Sequence, residues 1–256
     1  MSLDHQRRLL GGEPFRFKDD QREHVVFIIG EGEYRTGETL PEFARQELEW
    51  RGFKCSFVTA PPAEGNDFTN SEAIKEADLL VLSVRRRTPQ KEMMALIRHH
   101  LETGKPLVGI RTASHAFAAK PPDDRHGAWP SFDAEVLGGD YQGHYNNAPP
   151  QGPPTWIRVA PETTAHAMLT GVPTDGLRST STLYKNPAPT GPITPLLVGW
   201  VEGSEEKHPV AWVNTAQGRR VFYTSLGSPD DFKQPFFRRL LLNAILWALE
   251  QSIPPE

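Results

Sequence analysis

The chain has one cysteine, Cys55, among its 256 residues. No intramolecular disulfide can form, so a buried core must hold the scaffold, as in a reducing compartment. No apolar run approaches the ~20 residues that a membrane-spanning helix needs. The first twelve residues are too poor in apolar side chains to read as a secretory leader. A charge excess is missing as well: 28 Lys and Arg stand against 32 Asp and Glu, a net charge of −4. That balance gives no general attraction to nucleic acid. The expectation is a cytoplasmic protein with neither a nucleic-acid nor a membrane partner. Two catalytic signatures are also missing. Gly30 and Gly32 leave the dinucleotide GxGxxG pattern incomplete, and the nine histidines include no HxH or HExxH spacing.

What is present alternates between strand and helix patterns. His24–Gly30 is a branched apolar run of the kind buried on both faces of a sheet. Helical spacing from Leu40 to Trp50 ends at Gly52, and Phe53–Ala60 reads as the next strand. Asn70 is placed to cap a helix through Ala77, and Ala77–Val84 reads as a third strand. Thr88-Pro-Gln-Lys-Glu92 matches a helix start, Met93 to Leu101 supply its apolar face, and Leu107–Ile110 follows as strand four. This alternation predicts an α/β, doubly wound (flavodoxin-like) and mostly parallel sheet with helices on both faces. Further strands are expected at Trp156–Val159, Ser181–Tyr184, Leu196–Val201, Val210–Asn214 and Arg220–Ser225. A long helix is expected over Phe232–Leu249, with apolar rows wide enough to serve both the core and a second copy of the chain. The 24 prolines cluster in loops and near the C-terminus. The organisation expected is an N-terminal extension over 1–23 and a single domain over 24–250, with a loop-rich insertion near 117–153.

The most informative stretch is the end of strand four, where Leu107–Ile110 stops at Arg111-Thr-Ala-Ser-His115. Ligands of open α/β sheets bind at the carboxyl ends of strands, where loop side chains converge. Arg111 would either pair with Glu31 or Glu33 or hold a carboxylate, phosphate or vicinal hydroxyls of a substrate. Ser114 would either cap the following helix or act as a nucleophile served by His144, because adjacency argues against a working pair with His115. His115 is an acid–base or ligand-contacting candidate, against the alternative of a buried ring bonded to a carbonyl. The loop Gly138–Asn147 brings Tyr141, His144, Tyr145 and Asn146, aromatic faces and an amide that suit a sugar. Glu31 is a general-base candidate, and Lys185 lies close enough in pattern to reach the same crevice. His115 and His144 with Asp140 or Glu31 would make three ligands for a divalent metal such as zinc. Arg85-Arg-Arg87 makes the rim after strand three basic, either as a solvated run or as part of an anion clamp.

Several ordered motifs resemble the ThuA-like (trehalose-utilisation) family. They are Gly30-Glu-Gly-Glu-Tyr34, Val108-Gly-Ile-Arg-Thr-Ala-Ser-His-Ala-Phe117, Leu137-Gly-Gly-Asp-Tyr-Gln-Gly-His144, Pro209-Val-Ala-Trp212 and Gly218–Gly227. The resemblance implies a fold similar to class I glutamine amidotransferases and a role in carbohydrate metabolism. It does not imply glutaminase chemistry, since Arg111 stands where those enzymes carry a cysteine. Gly227-Ser228 also departs from the Gly-His common in relatives. The combined expectation is a protein acting on a small sugar or keto-sugar by acid–base chemistry, as a hydrolase or lyase. His115, His144 and Glu31 would be catalytic; Arg111, Ser114, Tyr141, Asn146 and Lys185 would bind the substrate. The rivals are a non-catalytic ligand-binding or regulatory module and a metal-dependent hydrolase.

Overall fold

A computed structural model describes residues 20–61, 65–118, 120–189 and 191–255. Most of the N-terminal extension expected over 1–23 therefore lies outside the described residues. Among the described residues nine strands form one sheet: β1 His24–Gly30, β2 Lys54–Thr59, β3 Leu79–Val84, β4 Leu107–Ile110, β5 Thr155–Val159, β6 Leu177–Ser179, β7 Ile193–Val201, β8 His208–Asn214 and β9 Val221–Thr224. Their spatial order is β2-β1-β3-β4-β9-β8-β7-β5-β6. From β2 to β9 every pairing is parallel. From β9 through β8, β7 and β5 to β6 every pairing is antiparallel. The fold is α/β, but the sheet is mixed rather than mostly parallel. The physical reason is that the C-terminal strands follow one another through turns and loops instead of helical crossovers, and a short return reverses direction.

Among the described residues three α-helices flank the sheet: α1 Thr36–Phe43, α2 Lys91–Glu102 and α3 Pro235–Ala248. The pleat of β1 sends alternate side chains to opposite faces. Val25, Phe27 and Ile29 pack with Leu40 and Phe43 of α1 and with the apolar side of α3, while Val26 and Ile28 pack with Met93, Met94 and Ile97 of α2. Both faces of β1 are covered, and all seven of its residues are buried.

Several expected boundaries shift. The first helix begins at Thr36, four residues before Leu40, and its last turns loosen into a π-helical turn and a 3₁₀ turn ending at Gly52 (φ 93°). Pro41 inside the helix supplies no N–H, which weakens the regular ladder around it. Asn70 stands at the N-cap position, but only of a 3₁₀ segment, Ser71–Glu76, and without a side-chain cap: it is left-handed (φ 61°) and its amide donates to the Phe57 carbonyl at 3.1 Å. The cap of α2 is Gln90 rather than Thr88, whose N–H donates instead to Asn66 Oδ1 at 2.9 Å. Ser181–Tyr184 is not a strand; it pairs through one bridge, His144 to Tyr184. Near it, the shorter β6 provides the ladder. The apolar rows of α3, including Phe236, Phe237 and Leu240–Leu242, are all buried inside the chain. Among the described residues no helix is long and apolar enough to cross a membrane.

Candidate functional site

The carboxyl ends of β1, β3 and β4 open on one edge of the parallel half, as sheet topology requires. After β4 the chain does not enter a regular helix. Residues Arg111–His115 form a single 3₁₀ turn, entered through Arg111 in the left-handed region at φ 44°. A non-glycine residue there marks a turn held by its surroundings. Tyr223 Oη from β9 holds it by donating to the Arg111 carbonyl at 2.7 Å. Gly227 faces the turn from the other side at φ 124°, and a Cβ there would lie 2.5 Å from Ile110 Cγ2.

The Arg111 side chain lies under the crevice rather than in it. It is 1% exposed. Its guanidinium donates to the Ser225 carbonyl at 2.6 Å, to Thr182 Oγ1 at 3.1 Å and to Tyr34 Oη at 3.2 Å. The rings of Tyr34 and Tyr184 cover it at 4.1 and 4.6 Å. Burial opposes its charge, but the phenols of Tyr184 and Tyr34 more than offset that and keep its pKa above the usual value. It pairs with neither Glu31 nor Glu33. Glu31 is 5% exposed and works as a structural clasp. Its two oxygens accept from Tyr34 N and Thr36 N, each at 2.7 Å, and from Thr36 Oγ1 at 2.5 Å. A carboxylate so engaged satisfies the N–H groups at the start of α1, and both of its oxygens are occupied within the fold.

The groups that do converge are Ser114, His115, Tyr141 and one residue the sequence did not single out, Asp133. All four line a cleft of about 380 Å³. Ser114 Oγ lies 3.1 Å from His115 Nδ1, so the two neighbours do pair, contrary to the expectation from adjacency. The His115 ring stacks on Tyr141 at 4.5 Å and 18°, and Tyr184 packs against both rings. Burial, with help from the cations of Arg86, Arg85 and Arg111, pushes the His115 pKa down to about 3. The imidazole is therefore neutral throughout the physiological range.

Asp133 behaves in the opposite way. It opens a π-helical turn, Asp133–Leu137, closed by Gly138 at φ 78°. Burial raises its pKa from the usual 3.8 to about 7, opposed by the Tyr141 N–H that Oδ2 accepts at 2.9 Å and reinforced by the charge of Asp140. Oδ1 is buried without a hydrogen-bond partner among the described residues. Gly139 makes this packing feasible, since a Cβ at that position would sit 2.3 Å from Oδ1. The sequence signal was Asp133 followed by the paired glycines 138 and 139, which allow backbone to close over a carboxyl.

The remaining candidates lie at the rim or elsewhere. His144 is exposed, stacks on the far side of the aromatic group against Tyr184 at 6.4 Å, and uses Nδ1 on the Tyr145 carbonyl. Asn146 is exposed, and the amide engaged in this loop is that of Asn147, which ties Leu183 N, Thr155 Oγ1 and the Pro153 carbonyl. Lys185 joins a separate group, with Nζ 4.6 Å over the Tyr145 ring, whose hydroxyl meets Glu206 and His208. No three metal-ligating side chains come together among the described residues, and Glu31 is already engaged, so the proposed triad with His115 and His144 does not form.

The sequence profile of the ThuA family, described as trehalose utilisation, matches residues 24–248. Among solved structures, a ThuA-like protein of Bacteroides uniformis shares 18% identity at a TM-score of 0.64, over 93% of this chain and 95% of the other. A ThuA-like protein of Parabacteroides merdae shares 18% identity at 0.65, over 91% and 92%. A β-galactosidase of the haloarchaeon Halorubrum lacusprofundi is similar over 88% of this chain but 30% of its own, at 12% identity and 0.53. At these identities the structural likeness speaks for the fold. No curated protein matches the sequence.

Proposed function

Because the chain belongs to the ThuA, or trehalose-utilisation, family, a carbohydrate-related role is the premise, and from it we propose acid–base catalysis on a small keto-sugar. The frame is the doubly wound, amidotransferase-like domain expected over 24–250. The observation that carries the reading is a pair of titratable groups pushed in opposite directions on one cleft: a carboxyl near 7 and an imidazole near 3. A group with pKa near the working pH is suited to exchange protons, and pairs driven apart commonly divide acid and base roles.

Asp133 as carboxylate takes the proton from the carbon next to the substrate carbonyl. The C–H electron pair becomes the enolate double bond, and the carbonyl oxygen gains the charge. His115 stays neutral and donates Nε2–H to that oxygen. The Ser114 hydroxyl, 3.1 Å from Nδ1 and 3.4 Å from the Arg111 carbonyl, fixes this tautomer when its proton turns from the carbonyl to Nδ1. Return of the proton to the former carbonyl carbon, while the hydroxyl proton of the first carbon passes to the oxygen held by His115, gives the isomeric carbonyl compound. Alternatively the enolate re-forms the carbonyl, its double-bond pair expels a β-substituent to leave an α,β double bond, and the departing oxygen takes the proton from Asp133. Tyr141, which lines the cleft, offers its ring to sugar C–H surfaces, the buried Tyr184 packs behind it, and His144 stands at the rim. Arg111 and Glu31 act as positioning residues beneath the site.

The test is solvent exchange. In D₂O, with a panel of ketoses and oxidised disaccharides, the protein is expected to replace the hydrogen next to the carbonyl of one of them by deuterium, read as loss of that proton signal by NMR. Binding of a keto-sugar without exchange, above the buffer rate, would favour the rival reading of a ligand-binding module.

A further inference from the structure

Of the three arginines that end β3, two are engaged and one is not. Arg87 is buried, and its guanidinium donates to the carbonyls of Gly30, Gly65 and Pro61 at 2.9, 3.0 and 3.2 Å. Arg85 pairs with Glu33 at 2.9 Å. Arg86 is exposed, and among the described residues its guanidinium has neither a hydrogen-bond nor an ion-pair partner. Its backbone is nevertheless fixed. It sits at φ 50°, and its N–H donates to the His115 carbonyl at 2.8 Å. Long cations on a solvated face do not need such an anchor.

Arg86 is also the wall between two clefts. It lines the 380 Å³ cleft that holds His115 and Asp133, and it lines a larger one of about 900 Å³ with Lys120, Asn66, Glu31 and Glu33. The acids of the larger cleft are neutralised locally, Glu31 by the N–H groups that start α1 and Glu33 by Arg85. Arg86 and Lys120 remain as positive charge without a counter-ion among the described residues. A guanidinium presents a planar fork that matches a phosphate or carboxylate.

We propose that the larger cleft is an oxyanion subsite, in which Arg86 with Lys120 holds a phosphate or carboxylate carried by the sugar whose reacting end lies between His115 and Asp133. This rests on the acid–base reading above and adds to it an anionic substrate class. A neutral sugar would leave the cations unmatched, and the site would discriminate by charge.

Calorimetric titration of the full chain at low salt with glucose 6-phosphate, gluconate and glucose tests it. The two anions are expected to bind at least about tenfold tighter than glucose, as one charge-assisted contact would give, and the gap should shrink in 0.5 M NaCl. The tighter of the two identifies phosphate or carboxylate as the natural group. Arg86→Gln should remove the preference while keeping the melting temperature, and Lys120→Gln, a check independent of the left-handed backbone, should weaken it. Equal affinity for charged and neutral sugars, no binding of either anion at millimolar concentration, or an undiminished preference in both variants overturns the subsite. Deuterium exchange on a neutral keto-sugar with no anion preference would leave the catalytic reading standing and remove only this one. Anion binding without exchange on any keto-sugar would do the reverse.

Discussion

Replacing Asp133 by Asn is expected to lower proton exchange on the responsive keto-sugar by about 10²- to 10⁴-fold, the usual contribution of a positioned acid–base group. The same variant should be more stable than the parent protein at pH 8. The folded carboxyl titrates near 7 and the unfolded one near 3.8. Between those values the native state holds the proton more tightly, so stability is full below about pH 4, falls as pH rises toward 7, and stays reduced above. Asn is neutral at every pH and escapes that loss. Activity as a function of pH should therefore rise through about 7 while stability falls over the range below it. A structural carboxylate would behave differently: its removal would cost stability and leave exchange intact. Urea unfolding at pH 5 and pH 8, alongside the exchange rate, separates the two.

Arg111→Ala should lower stability by about 3–5 kcal/mol, the sum expected from a large buried side chain lost and a buried carbonyl left unpaired. The Ser225 carbonyl would lose its donor, Thr182 and Tyr34 would lose theirs, and the space between the Tyr34 and Tyr184 rings would empty. Arg111→Lys should fall between, because an ammonium keeps the charge but cannot span three acceptors in one plane. A substrate-binding arginine would instead lose ligand affinity at unchanged stability. Denaturant midpoints for both variants, set against sugar affinity, decide between these roles.

The strand-end cluster was legible in the sequence because strand direction dictates it. A buried run ending at Arg111–His115 puts those residues at the carboxyl edge of the sheet whatever the details. Their individual roles were not legible. Arg111 and Glu31 carry charges that look available in the sequence, yet each is satisfied by groups distant from it or by backbone N–H groups. Only the fold reveals that Ser225 and Thr182 meet one and the start of α1 meets the other. Asp133 shows the converse. In Ser131-Phe-Asp-Ala-Glu135 it is an ordinary loop carboxylate, and its raised pKa arises from burial and from the closeness of Gly139, a tertiary effect. In the fold, the helical runs with regular apolar spacing were found, α2 and α3 among them. Four of the five strands expected in the second half were found as well, β5, β7, β8 and β9, but their antiparallel direction was not, because it depends on connections, which composition does not encode.

The most direct measurement is the carboxyl titration of Asp133 itself, followed by ¹³C NMR with Asp133→Asn to assign the signal. The acid–base account predicts a midpoint near 7, displaced when a keto-sugar that undergoes exchange is added. A midpoint near 4, unmoved by any sugar, would contradict it.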